Sequence, residues 1–309
     1  MDVQQMLDNA GQMPYQPDVL IYHDNCDDGF AAAWAVHKKW GDSVQYIPSN
    51  YGRPMPTWQD GREVLIADFS LPEDQCQALA EQGCRILMLD HHKTAKEALA
   101  RMPHTKRPTI DGVGKLFDTT SGTWHSSVLV EFDMERSGAR MAWDFAFPGE
   151  ETPELILAVE DRDLWRFDRP DTKLVSMYLR SLDRDFAQWD AAAALYSDTP
   201  DQFLAEANAI KRFYDQRIKG ICENAGTQHF QGHEGVAVTY ACPYDFVSET
   251  CHTLLSMYPD APFAVAVVKN QEGITYSMRS EDARVDVSEI AKANGGGGHR
   301  NAAGFRIAA

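Results

Sequence analysis

Short unbroken apolar runs alternate with amphipathic stretches through the first part of the chain. Asp18-Val19-Leu20-Ile21-Tyr22, Val64-Leu65-Ile66-Ala67 and Arg85-Ile86-Leu87-Met88-Leu89 are the clearest of these runs. Runs of this length between helical stretches read as strands of a parallel sheet, buried on both faces. Ala31 to Trp40 predicts a helix directly after the first run. Ser70-Leu71-Pro72-Glu73 reads as a capping box opening a second helix, which should end at Gly83. The alternation is a βαβ series, hence an α/β domain with a parallel sheet and helices on both faces.

Further along, residues 123–180 read as largely helical, with apolar spacing in Val128 to Phe132 and Ala139 to Phe147. Thr152-Pro153-Glu154 predicts another helix start, leading to Asp161-Arg162-Asp163-Leu164-Trp165. Thr199-Pro200-Asp201-Gln202 opens a helix carrying Phe203, Ala207, Ile210, Tyr214, Ile218 and Ile221 at helical spacing. From Gly226 the texture turns to period-2 and β-branched runs at 236–240, 263–268 and 274–279, with helical stretches at 247–257 and 287–293. The expected organisation is an α/β catalytic domain over 1–190, a helical connector over 191–225 and a smaller α+β domain over 226–309.

The 309 residues suffice for two cores, and no apolar run is long enough to span a bilayer. The first sixteen residues lack the apolar stretch of a signal peptide. Six scattered cysteines without a CxxC pair suit reduced thiols, so a cytoplasmic location is expected. The net charge is −17, and the sequence shows no basic stripe of the kind that grips a long nucleic acid. A nucleotide substrate should therefore be short and held in a local pocket. No membrane partner is expected, and a homodimer is compatible with this reading.

Each of the three strand-like runs ends in acids or histidines: His23-Asp24-Asn25-Cys26-Asp27-Asp28-Gly29, then Asp68, then Asp90-His91-His92. Ligands of such folds bind beyond the carboxyl ends of the strands, so groups distant in sequence converge there. Carboxylates and imidazoles are the ligands expected for Mn²⁺ or a similar divalent ion, and a metal pair can activate water against a phosphoryl group. Asp161 or Asp163 could complete such a shell from a fourth position. The run Gly295-Gly296-Gly297-Gly298-His299 near the C-terminus lets backbone N–H groups converge on a phosphate. Arg279 could add a bidentate contact. Trp165, Tyr244 and Phe305 are candidate partners for a stacked base.

These residues resemble the DHH-family phosphoesterases with a DHH-associated C-terminal domain. The matches are His23-x-Asn25-Cys26-x-Asp28-Gly29, Asp68, Asp90-His91-His92, Asp161 and the terminal Gly-Gly-Gly-Gly-His299, ordered as in the family and spanning nearly the whole chain. Within the family the chain is most similar to the nanoRNase branch. The resemblance implies two Mn²⁺ ions held by His23, Asp27, Asp28, Asp68, Asp90, His91 and Asp161, with Asp68 bridging. It implies His92, Asp90 and Asp68 in catalysis, His92 contacting the scissile phosphate and Asp90 ligating or orienting the histidines. Arg279, Gly296, Gly297, Gly298 and His299 would hold the phosphate or terminal nucleotide. One departure stands out. Many family members read His-x-x-x-Asp-x-Asp at the first motif; here His23 and Asp27 fit, but the next acid falls on Gly29. The register that uses Asp28 puts Cys26 in the first acid's place, and a thiolate there would shift metal preference toward Zn²⁺ or Fe²⁺.

The activity expected is metal-dependent hydrolysis of short 5′-phosphorylated oligonucleotides to mononucleotides. Cyclic mono- or dinucleotides, 3′-phosphoadenosine 5′-phosphate or polyphosphate are alternative substrates. A non-catalytic nucleotide sensor is the rival from another class.

Overall fold

A computed structural model describes residues 15–58, 61–113, 116–117, 123–271 and 273–308. The chain divides between Ala207 and Asn208 into two compact units.

In the first unit, Val19–His23 (β1), Gln45–Ser49 (β2), Glu63–Ala67 (β3), Arg85–Asp90 (β4) and Val128–Phe132 (β5) form one sheet in the order β2-β1-β3-β4-β5. Every neighbouring pair is parallel. The period-2 alternation of a strand distributes the apolar runs between two cores. Leu20, Leu65, Leu87 and Leu129 face one, with Phe30, Ala142, Phe145 and Ile156. Val19, Val64, Ile86 and Val128 face the other, with Cys76, Leu79, Leu99 and Met102. Burial on both faces is why these strands read as unbroken apolar runs.

The helices of this unit are Asp27–Trp40 (α1), Glu73–Glu81 (α2), Lys93–Ala98 (α3), Gly138–Ala146 (α4), Glu154–Asp163 (α5), Thr172–Leu179 (α6) and Phe186–Asp198 (α7). Pro200–Cys222 (α8) continues across the boundary into the second unit. The domain edges expected at 190 and 225 thus lie on either side of a division that falls inside α8. Two expectations are corrected. Val128 to Phe132 is the fifth strand, not helix. The capping box at Ser70 does not form: Pro72 stands at the start of α2 without a side-chain cap, and the Ser70 hydroxyl donates to Asp90 Oδ2 at 2.5 Å.

The second unit carries Gly226–Phe230 (β6), His233–Tyr240 (β7), Ala264–Asn270 (β8), Gly273–Arg279 (β9), Gly297–His299 (β10) and Ala302–Ala308 (β11) in the order β10-β11-β9-β8-β7-β6. Only the β7–β8 pair is parallel. Val247–Met257 (α9) and Val287–Ala293 (α10) are its complete helices, and Val238, Phe263, Val265, Met278, Val287 and Phe305 build a core.

The glycine run is mostly ordered strand and helix cap. Gly295 N–H donates to the Lys292 carbonyl at 3.1 Å and Gly296 N–H to the Ala291 carbonyl at 2.8 Å, closing α10 as a Schellman motif. Gly297–His299 then pairs with β11 as the edge strand of the sheet, so this part of the run is strand rather than loop. A Cβ on Gly296 would stand 2.1 Å from the Gly304 carbonyl oxygen, which explains glycine there without a ligand.

Candidate metal centre

Because β1, β3 and β4 are adjacent and parallel, their last residues meet at one edge of the sheet. His23 ends β1, Asp68 follows β3 and Asp90 ends β4, with His91 and His92 next. Asp28 enters from the first turn of α1 and Asp163 from the last residue of α5.

His91 sits at the middle of this group. Its Nε2 is 3.0 Å from Asp68 Oδ1, 3.4 Å from Asp163 Oδ2 and 3.7 Å from Asp28 Oδ2. The second oxygen of Asp68 lies 3.5 Å from His23 Nδ1, so this one carboxylate presents an oxygen to each imidazole. Asp68 also adopts φ +55°, the left-handed region that costs a non-glycine residue energy. Asp28, Asp68, Asp90 and His91 are all essentially fully buried. Asp28 accepts the backbone N–H groups of Gly138 at 2.6 Å and Ala139 at 3.0 Å, which anchors it to the start of α4.

The electrostatics show too many negative charges for the chain's own cations. Burial, then Asp68 and Asp163, push Asp28 well above the usual carboxylate range. Burial opposes the charge on Asp68, but His23 and His91 overcome it and hold Asp68 well below that range. Burial likewise opposes an imidazolium at His91, yet Asp163, Asp68 and Asp28 raise it to about 10. His23 Nδ1, Asp68 Oδ2 and Asp163 Oδ2 are buried and make no hydrogen bond. Buried acceptors left without donors are costly. A divalent cation would satisfy them, so the donor set fits a metal. The sets Asp28–His91–Asp163, His23–Cys26–Asp68 and Asp68–Asp90–His92 each bring three ligand atoms within 4.8 Å of one another. Burial, and then Asp68, Asp163 and Asp28, push the Cys26 thiol up, which disfavours a thiolate.

Asp90 is differently employed. Its Oδ1 accepts the His91 N–H at 2.7 Å and the His92 N–H at 3.1 Å, and lies 2.6 Å from His92 Nδ1. Its Oδ2 accepts from Ser70. Burial notwithstanding, His92 then holds Asp90 down to about 2. With its lone pairs so occupied, Asp90 orients the two histidines.

Two residues expected as ligands lie elsewhere. Asp27 turns to Arg180 at 2.9 Å and Arg184 at 3.4 Å. The Asp161 carboxylate accepts the N–H groups of Asp168 at 2.9 Å and Arg169 at 3.3 Å and the Thr172 hydroxyl. Asp163 takes the position in the cluster that either acid could have held. The irregular first motif also has a steric origin: a Cβ on Gly29 would stand 2.2 Å from the His23 carbonyl oxygen, so no acid fits there. Sequence reasoning missed Ser70 as a partner of Asp90 and the Gly138 and Ala139 amides as partners of Asp28. A serine two residues after a strand-end acid was the available signal for the first. The amides carry none.

In the second unit, His299 pairs with Ala302, which pairs with Arg279. Residues directly opposite share a face of the sheet, so His299 and Arg279 lie on one face with an alanine between. The Arg279 guanidinium is held by Ser248 Oγ at 3.2 Å and the Met278 carbonyl at 2.9 Å. Gly296, Gly297 and Gly298 run along the neighbouring edge. Of the candidate stacking residues, Phe305 belongs to the core, whereas Tyr244 and Trp165 are exposed.

The chain is similar to several known proteins. Residues 234–309 match the DHHA1 domain. An uncharacterized protein, R106, of Acanthamoeba polyphaga mimivirus is 26% identical, covering 94% of this chain and 67% of its own length. The oligoribonuclease NrnB of Bacillus subtilis is 23% identical, covering 79% of this chain and 59% of its own, so the chain spans about three fifths to two thirds of these relatives. Among solved structures, RecJ from Thermus thermophilus in complex with Mn²⁺ shares 14% identity at a TM-score of 0.47, covering 98% of this chain and 51% of that one. A pGpG-specific phosphodiesterase from Vibrio cholerae shares 15% at a TM-score of 0.42, covering 94% and 93%. A parallel sheet with carboxylates and imidazoles gathered at its carboxyl edge is followed in this chain by a DHHA1 domain. Residues 234–309 are a DHHA1 domain, and the chain as a whole resembles the DHH-family phosphoesterases.

Proposed function

We propose that this chain hydrolyses the phosphodiester bonds of short 5′-phosphorylated oligonucleotides, releasing mononucleotides, with two divalent ions, most suitably Mn²⁺. One observation carries the reading: the buried acceptors of Asp68 and Asp163 and the Nδ1 of His23 lack hydrogen bonds where three carboxylates, Asp28, Asp68 and Asp163, and two histidines, His23 and His91, meet. His23, Asp28, Asp68, His91 and Asp163 would hold the metal. When bound, it supplies positive charge to a phosphoryl oxygen and makes water more acidic.

The remaining chemistry falls to the chain's own residues. Asp90 fixes His92 through Nδ1, so Nε2 is the ring nitrogen that holds or gives up a proton at the leaving oxygen. Ser70 holds Asp90 in turn. On the second unit, Arg279 and His299 are two strand spacings apart, about 10 Å, a span suited to a terminal phosphate and its sugar. The likeness to an oligoribonuclease favours short RNA among the substrates. The net charge of −17 agrees with a short ligand over a long one. Six free cysteines suit a reducing cytoplasm, and among the described residues no helix is long and apolar enough to cross a membrane.

The test is turnover by purified protein with Mn²⁺ on 5′-phosphorylated di- to pentanucleotides beside cyclic dinucleotides, 3′-phosphoadenosine 5′-phosphate and polyphosphate, with His91→Ala as control. Mononucleotide release fastest from the shortest linear substrates is expected. Turnover of polyphosphate or cyclic dinucleotides alone would replace the substrate. Binding without turnover in any divalent metal would make the chain a sensor.

A further inference from the structure

The segment that follows α5 is built in an unusual way. Asp163, in the cluster, is followed two residues later by Trp165 and four residues later by Phe167. Both aromatic residues adopt left-handed backbone, φ +56° and +55°. Such conformations persist only where the surroundings over-determine them, and they concentrate at functional sites. Here the end of α5 and Asp161 hold the turn: the Trp165 N–H donates to the Arg162 carbonyl at 3.2 Å. The Asp161 carbonyl accepts the N–H groups of Arg166 at 2.9 Å and Phe167 at 3.5 Å, and its carboxylate takes Asp168, Arg169 and Thr172. A buried acid and the last turn of α5 therefore fix two aromatic residues of left-handed backbone directly after Asp163.

The rings they present are not a core. Trp165 keeps 36% of its surface. Its ring meets Phe167 edge-on, centroids 4.7 Å apart at 85°. Arg162 places its guanidinium 4.3 Å from the Trp165 centroid, and the Lys173 ammonium lies 5.0 Å from the Phe167 centroid. Two aromatic rings, each with a cation over one face and its other face available, form a pattern that takes a nucleobase by stacking and its phosphate by charge. In a chain this acidic, cations beside a carboxylate cluster are not expected from composition.

We propose that Trp165 and Phe167, with Arg162 and Lys173, form a platform that stacks a base of the substrate next to the metal cluster, so that the substrate class is base-bearing nucleotides and excludes polyphosphate. This rests on the phosphodiesterase reading above and adds to it the residues that select the base. Asp161 acts here as a positioning residue for the platform.

The test compares a 5′-phosphorylated diadenylate with its abasic analogue, which has the same phosphates and no bases. Steady-state rates with Mn²⁺ are measured for the full chain, Trp165→Ala and Trp165→Phe. Binding of both ligands is measured in the His91→Ala background. Trp165→Ala is expected to reduce the preference for diadenylate over the abasic analogue about tenfold, mainly through KM, with Trp165→Phe recovering most of it. Equal losses on both ligands, or an unaltered preference, would overturn the platform, as would a wild type that does not distinguish them. If wild type hydrolyses neither ligand but binds diadenylate better through Trp165, the platform stands and the hydrolytic reading fails.

Discussion

The carboxyl edge of the first unit's sheet and the glycine strand of the second are both places where side chains are crowded or missing, for opposite reasons. At the sheet edge, buried polar atoms outnumber their partners: Asp68 Oδ2, Asp163 Oδ2 and His23 Nδ1 make no hydrogen bond, and the Asp68 backbone is strained. Along the glycine strand the backbone is well paired, with the Gly295 and Gly296 amides closing α10 and β10 laddered to β11. One region leaves buried acceptors unpaired, as a cation site would. The other is complete by itself and serves as a shaped surface. A motif's chemistry is thus read from what its atoms still lack, not from its residue types alone.

The largest expected effect tests the incomplete region. Removing the carboxylate that faces both imidazoles, Asp68→Ala, or the central imidazole, His91→Ala, should reduce hydrolysis roughly a thousandfold, because a bound cation supplies several kcal/mol of charge stabilisation. Circular dichroism should show a folded chain. Calorimetric titration with Mn²⁺ should show the lost binding; a variant that keeps both metal and activity would break the contrast. The same imidazole gives a pH signature. Because His91 is raised from 6.5 to about 10 in the folded chain, its contribution to stability is fully present below about pH 6.5 and is lost as pH rises through about 10. Thermal melts of metal-free protein should fall over that window. Saturating divalent metal should flatten the fall, since the cation takes over the imidazolium's role.

The next effect separates two acids that differ little in sequence. Asp163→Ala should weaken metal binding by at least about 10- to 100-fold. Asp161→Ala should leave metal affinity near that of the wild type and cost about 1–3 kcal/mol of stability, because backbone donors at Asp168 and Arg169 lose their acceptor. Titration calorimetry and denaturant melts on both variants would decide it, and the reverse pattern would return Asp161 to the cluster.

This pair also shows where sequence reading stops. Strands β1, β3 and β4 were legible because full burial leaves a continuous apolar run, and their acidic ends had to converge once the sheet was parallel. Val128 to Phe132 was not legible, since five residues are too few for a helical and a strand period to differ. Asp161 and Asp163 lie on one helical turn, and only the turn after α5 decides which carboxylate faces inward. Ser70 fits a capping box by spacing, but the buried Asp90 carboxylate needs a donor more than the exposed helix start does. The glycine run was recognisable as special, though its requirement is contact with β11 rather than an anion alone.

The smallest effects probe the complete region, and two adjacent glycines distinguish its two demands. Gly296→Ala would drive a Cβ to 2.1 Å from the Gly304 oxygen and 2.7 Å from Phe305 Cα, both backbone atoms that cannot move aside. It should cost about 1–3 kcal/mol, as overpacking does. Gly295→Ala meets nothing within 4 Å, but its φ of +77° disfavours a side chain, so it should cost about 1 kcal/mol. Hydrogen exchange of the β9 and β11 amides in the full chain reads both, with Mn²⁺ affinity unchanged in each. If Gly296→Ala proved no worse than Gly295→Ala, the close approach of β10 to β11 would not be what demands glycine, and the run would have to be explained by what it binds.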